Sequence, residues 1–106
     1  KRARPDGKLW HSQAKGFMSP KDFDSLFAEI ASKIADKDPH SQSYKAYESG
    51  VHEAGKKLLE EAGEVWLAAE HEGDEELALE ISQLLYRIQI IAQIRGISLD
   101  DIYRKL

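Results

Sequence analysis

Apolar residues recur at helical spacing through most of the chain beyond residue 18. Phe23, Leu26, Phe27, Ile30 and Ile34 fall three or four apart and predict a first helix. Its start is expected near Ser19-Pro20, a cap residue followed by a proline suited to the first helical position, and its end before Pro39. Residues 37–43 are polar and read as a loop. A second helix is expected to begin between Ser41 and Glu48 and to run to about His71, with Gly50, Gly55 and Gly63 available for close helix packing. Gly73 would end it, and Asp74 would cap a third helix running to about Arg95, with Gly96 as its stop. Ser98-Leu99-Asp100-Asp101 resembles a capping box, with Asp in place of Glu, opening a short fourth helix toward Leu106. There is no alternating strand pattern, internal repeat or low-complexity tract. The expected class is all-α: two long antiparallel helices with shorter N- and C-terminal helices.

The two long helices each carry an apolar stripe flanked by acids. On the second, Leu58, Ala62, Val65, Trp66 and Ala69 form the stripe expected to be buried. At 100° per residue Glu61, Glu64 and Glu60 then fall at about −60°, −120° and −160° from Leu58. On the third, Leu77, Ile81, Leu84, Leu85, Ile88 and Ala92 form the stripe, with Glu80, Arg87, Glu76 and Gln83 on one flank. If the chain reverses at Glu72-Gly73, residues equidistant from the turn are level. Glu61, Glu64, Glu80 and Gln83 then share one height, roughly 12–18 Å from the turn at about 1.5 Å per residue. Carboxylates gathered beside an apolar seam are costly unless a cation neutralises them. Oxygen-only ligation suits Mg2+, which also reaches phosphate oxygens. The competing reading is a solvated acidic face on two amphipathic helices, because Glu is a common surface helix former.

Other residues stay open between two roles on pattern alone. Lys56 and Lys57 precede Glu60 and Glu61 by one turn, which suits either phosphate binding or i,i+4 ion pairing. Arg87 flanks the acidic cluster and could meet a phosphate or pair with Glu80 or Gln83. Tyr44, Tyr47 and Tyr86 could stack on a base or fill a core. His40, His52 and His71 show no metal-ligand spacing and read as ordinary surface residues.

Charge and composition narrow the classes. Residues 1–17 carry five Lys/Arg against one acid, net +4, while the rest carries ten basic against eighteen acidic residues, net −8. The acidic body argues against nucleic acid as the main partner. Residues 1–17 lack periodicity and precede Met18-Ser19-Pro20, so they are expected to be an added or misassigned leader, with residues 18–106 as one domain. The chain has no cysteine, which excludes thiol catalysis and thiolate-bound zinc and fits a cytoplasmic protein. Residues 88–94, the most apolar run, are interrupted by Gln89 and Gln93, so no membrane role is expected.

Three motifs carry a resemblance. Lys56-Lys57-Leu58-Leu59-Glu60-Glu61-Ala62-Gly63-Glu64-Val65 resembles the K-K-x-x-E-E-x-x-E signature of phosphoribosyl-ATP pyrophosphatases. Asp74-Glu75-Glu76-Leu77, followed by Glu80-Ile81-Ser82-Gln83-Leu84-Leu85-Tyr86, is similar to that family's D-E-E-L…E-x-x-D-L-L-Y. Arg95-Gly96-Ile97-Ser98-Leu99-Asp100-Asp101-Ile102 resembles its R-G-[LI]-S-L-D-D-[VI]. The motifs occur in order and at the right separations over about residues 22–106.

The resemblance implies a MazG-like helical bundle, dimeric, that hydrolyses phosphoribosyl-ATP to phosphoribosyl-AMP and pyrophosphate with Mg2+ (magnesium). This is the second step of histidine biosynthesis. It implies Glu61, Glu64 and Glu80 as metal ligands, with Glu60 beside them, and Glu60 or Glu64 as the group that activates water. The family's last acid falls on Gln83, whose amide oxygen would bind the ion without charge or would contact substrate or water instead. Ser43-Tyr44 resembles the family's S-Y-T, with Lys45 replacing Thr, and joins Lys56, Lys57 and Arg87 as the implied substrate-binding set. A dimer also suits residues 88–94, which are apolar on nearly all sides, with Ile90 and Ile94 opposite the Ile81 stripe. Two alternatives stand beside this reading: a house-cleaning nucleotide pyrophosphatase of the same superfamily, and a non-catalytic helical dimerisation module, for which Gln83 is the main argument.

Overall fold

The computed structural model describes residues 21–106. The leader expected over residues 1–17 and the helix start expected at Ser19-Pro20 lie outside the described residues. Within them are four helices, α1 (Phe23–Asp36), α2 (Gln42–His71), α3 (Asp74–Arg95) and α4 (Leu99–Tyr103), and no strand. No helix among the described residues is long and apolar enough to cross a membrane.

Local chemistry sets each boundary. Asp22 caps α1: its carboxylate accepts the Ser25 N–H at 2.8 Å, and the Ser25 hydroxyl accepts the Asp22 N–H at 2.9 Å. The helix ends on Lys37, in the left-handed region at φ 54°, two residues before Pro39. Ser41 caps α2 by accepting the Tyr44 N–H at 3.2 Å. Gly73, rather than Asp74, is the N-cap of α3 and supplies no side-chain bond. Asp74, Glu75 and Glu76 instead place three negative charges in the first turn, where the helix dipole favours them. Gly96 ends α3 at φ 70°. The Ser98–Asp101 capping box opens α4, with reciprocal bonds of 3.1 and 3.0 Å.

Gly50 breaks α2 at φ 92° and ψ 170°, a backbone that suits glycine far better than residues bearing a Cβ. The expectation that Gly55 and Gly63 serve close packing is not met: a Cβ at either position would meet nothing within 4 Å.

α2 and α3 form an antiparallel hairpin that turns at Glu72-Gly73. α1 packs on both at the end far from the turn. Ile30, Ala54 and Ile90 close the core there, flanked by Leu26, Ile34, Ala46, Tyr86, Ile91 and Ile94. Two α3 glutamines tether α1: Gln89 Nε2 donates to the Phe23 carbonyl at 2.8 Å and Gln93 Nε2 to the Phe27 carbonyl at 3.2 Å. Residues 23 and 27 advance with 89 and 93, so α1 runs parallel to α3.

Two expectations about buried faces are corrected. Ile90 and Ile94 were expected to form an uncovered second face. Ile90 is 1% exposed and Ile94 half-buried, because α1 lies over them. The seam of the hairpin is also rotated. On α2 it runs through Ala54, Leu58, Glu61, Val65 and Ala68, turned by more than half of the roughly 100° residue step from the expected stripe. Trp66, expected inside, is 66% exposed, and Ile81 and Leu85 on α3 are 40% and 39% exposed. Alanine at positions 54 and 68 gives a seam that the facing helix can approach closely, whereas the Trp66 side would hold the helices apart.

Candidate active site

The rotated seam changes where the acids lie. Glu61 on α2 and Glu80 on α3 are half-buried in the hairpin rather than on its flank, while Glu60 and Glu64 are exposed. The Glu80 carboxyl is held above the ordinary carboxylate range, first by desolvation and then by the charges of Glu64 and Glu61, with Glu72 and Glu76 adding to it. Glu64 and Glu61 are thus the leading like-charge neighbours of Glu80, and both come from the other helix, at the level that the turn predicts. Among the described residues no group of three or more carboxylates or imidazoles is arranged so that it could hold a metal ion.

Next to these acids, on the side toward α1, lies a cavity of about 560 Å³. Gln83 and Arg87 line it from α3, Ser43 from the first turn of α2, His40 from the preceding loop, and Lys33 from α1. Gln83 lies one helical turn beyond Glu80 and lines the cavity, so the acids adjoin it along α3. Ser43 is held in place by a 2.8 Å hydrogen bond between its hydroxyl and that of Tyr86. Tyr86 packs against the core and also lines the cavity. The Arg87 guanidinium carbon lies 5.3 Å from the Tyr86 ring centroid, and the Arg87 Nε is buried without a hydrogen-bond partner.

The remaining expected residues divide. Lys57 shares a second, smaller cavity of about 220 Å³ with Arg87 and also stands 3.6 Å from Glu60. Lys56 is exposed and stands 3.6 Å from Glu53. Tyr44 lines neither cavity; burial and then the Glu48 charge push its hydroxyl above the ordinary range. The structure therefore brings Ser43, Gln83 and Arg87 to one cavity, and sets Glu61 and Glu64 near enough for their charges to act on Glu80. Lys33 was not singled out in the sequence, and His40, read there as an ordinary surface residue, also lines the cavity. They belong to none of the three motifs, and only the docking of α1 and its loop brings them to this wall.

The sequence model of the phosphoribosyl-ATP pyrophosphohydrolase family matches residues 22–106. The chain belongs to that family. The match spans all four helices, so the hairpin, the acids and every described lining residue of the cavity except Lys21 fall inside the phosphoribosyl-ATP pyrophosphohydrolase match. Members hydrolyse a phosphoric anhydride within histidine biosynthesis. Such a substrate presents several phosphate groups, and this domain places carboxylates and cationic side chains side by side.

Proposed function

We propose that this phosphoribosyl-ATP pyrophosphohydrolase cleaves its substrate between the α and β phosphates, with Mg2+ held at Glu61, Glu64 and Glu80, giving phosphoribosyl-AMP and pyrophosphate. The observation that supports the reading is the half-buried Glu80, on which the Glu64 and Glu61 charges of the other helix act, beside a cavity of the opposite sign. The donors are oxygens only, which suits Mg2+. An ion that keeps several waters and draws its other ligands from substrate phosphates needs only one or two carboxylates rather than a closed protein cage. When bound, the ion would offset phosphate charge and make the phosphorus more electrophilic.

The chain's own groups do the rest. Glu60 or Glu64, both exposed to solvent, takes the proton of an attacking water. The new P–O bond forms as the anhydride P–O bond breaks, and the departing group leaves as a phosphate oxyanion. Lys57, in the smaller cavity, holds phosphate oxygens of the anhydride in place, and Arg87, which lines both cavities, bonds substrate phosphate. Gln83 bonds substrate or water, or lends an amide oxygen to the ion.

The working form is proposed to be a homodimer. Trp66, Ile81 and Leu85 leave an apolar strip along the turn half of the hairpin that no part of the described chain covers. A second copy would cover it with the same surface about a two-fold axis.

The test is pyrophosphate release from phosphoribosyl-ATP and from ATP, with and without Mg2+. Metal-dependent release from phosphoribosyl-ATP, well above that from ATP, is expected. Equal rates on both would point to a general nucleotide pyrophosphatase. No release from either would leave a helical dimerisation module.

A further inference from the structure

The cavity beside α1 carries a charge that anhydride cleavage does not require. Counting Lys21, Lys33 and Arg87 against Glu29, the described part of its wall is net +2 with His40 neutral, in a chain whose total is −4. Glu29 is the only carboxylate among the described lining residues, and it is paired with Lys21 at 3.0 Å. Among the described residues, no ion pair engages Lys33 or Arg87. His40 is presented by a turn in which its backbone N–H donates to the Asp38 carboxylate at 2.9 Å. Arg87, which lines this wall, has a buried Nε without a hydrogen-bond partner. A volume of about 560 Å³ is within the span of roughly 300–1,000 Å³ usual for small-molecule sites.

Resting on the substrate reading above, we propose that this cavity binds the second phosphate of phosphoribosyl-ATP, the monoester on the phosphoribosyl arm, and that Lys33 and His40 distinguish this substrate from ATP. A phosphate monoester carries about −1.5 to −2 at neutral pH, so it matches the charge of the wall. ATP has no such group. The triphosphate then lies toward Glu61, Glu64 and Glu80, and Gln83 stands at the junction without adding negative charge to either side. Lys33 offers a point charge, Arg87 a fork of donors, and Ser43 a hydroxyl already oriented by Tyr86.

Binding without turnover tests this directly. Calorimetry with phosphoribosyl-AMP, AMP and pyrophosphate, in the absence of divalent metal, separates the phosphate of the arm from the phosphates of the anhydride. Phosphoribosyl-AMP is expected to bind the parent at least about tenfold more tightly than AMP, the worth of one hydrogen bond to a charged group. Lys33→Ala and His40→Gln should each shrink that ratio, and Lys105→Ala, outside the cavity, should preserve it. Both cavity residues are exposed, so circular dichroism should show the parent's helicity in their variants. An unchanged ratio in both variants overturns the proposal. Loss of pyrophosphate binding with the ratio intact also overturns it, by assigning the cavity to the anhydride. A parent that releases pyrophosphate from phosphoribosyl-ATP yet binds phosphoribosyl-AMP and AMP alike sinks this inference alone. A parent that releases none sinks the substrate reading and this inference together.

Discussion

The two ends of the α2–α3 hairpin are built from similar residues and packed differently. Far from the turn, α1 closes over Ala54 and Ile90, Gln89 is wholly buried, and the core is completed within the chain. Near the turn, Leu58, Val65, Leu77 and Leu84 are only half-covered, and Trp66, Ile81 and Leu85 face outward. The acids Glu61 and Glu80 lie in this open half, and the cavity begins where α1 arrives. The comparison teaches that one end is closed for stability and the other is left open, where the ligands and the second copy are proposed to bind, with the proposed site along the boundary.

The sharpest way to break this comparison is to remove charge from the open half. Glu61→Gln and Glu64→Gln should each lower turnover by at least on the order of 100-fold, the upper end of losses around a metal site, with helicity unchanged. Steady-state rates at saturating Mg2+ check this, and a parental rate in either variant would remove that residue from the ligand set.

The next test sets the two ends against each other. Ile30→Ala opens a cavity in the closed end and should cost about 2–5 kcal/mol in urea unfolding. Ile81→Asp, on the outward strip, should leave the melting of the single chain nearly unchanged and dissociate the dimer in sedimentation. An Ile81→Asp protein that sediments as the parent does would place the dimer surface elsewhere.

A smaller effect concerns Glu80. Its raised pKa means that the folded state disfavours the ionised form. The resulting loss of stability is absent below the ordinary value near 4.5 and develops as pH rises through the raised folded value. Without divalent metal, Glu80→Gln should therefore melt slightly higher than the parent at neutral pH and match it in acid. Melting curves between about pH 4 and pH 8 would show the two lines converging; parallel lines would mean that Glu80 carries no such cost.

The smallest effect is at a helix cap. Backbone and side-chain hydrogen bonds from Ser98, with Arg104 between them in weight, hold the Asp101 carboxyl below its ordinary value of 3.8. The stability it contributes is present above that value and lost as pH falls through the lowered folded pKa. Asp101→Ala should lower the melting temperature slightly at neutral pH and not at all in strong acid.

Much of this architecture could be read from residues whose effect is local. Ser41, Ser98, Gly96 and Pro39 mark helix ends because caps and left-handed backbone depend on a few neighbouring atoms. The level match of Glu61 and Glu64 with Glu80 followed from counting outward from Glu72-Gly73. Helix rotation was not legible. α2 is apolar at 54, 58, 65 and 68 and also at 59, 62, 66 and 69, and periodicity does not say which set meets α3. The answer depends on which face lets two backbones approach, and there the small Ala54 and Ala68 prevail over Trp66. The docking of α1 was equally hidden, and with it the covering of Ile90 and the arrival of Lys33 and His40 at the cavity.

The glutamine tethers bear on the order in which the molecule assembles. The hairpin closes across a short turn, whereas Gln89 and Gln93 each reach back 66 residues to α1. Chain-closure entropy favours the short connection, so α2 and α3 should pair first and α1 should settle onto them afterwards. The same hierarchy, run in reverse, makes α1 the segment most ready to open in the native state. Hydrogen exchange should then release the α1 amides ahead of those in the second half of α3. A ligand that bridges Lys33 and Arg87 should slow α1 exchange more than it slows the hairpin, tying the completeness of the fold to occupancy of the cavity.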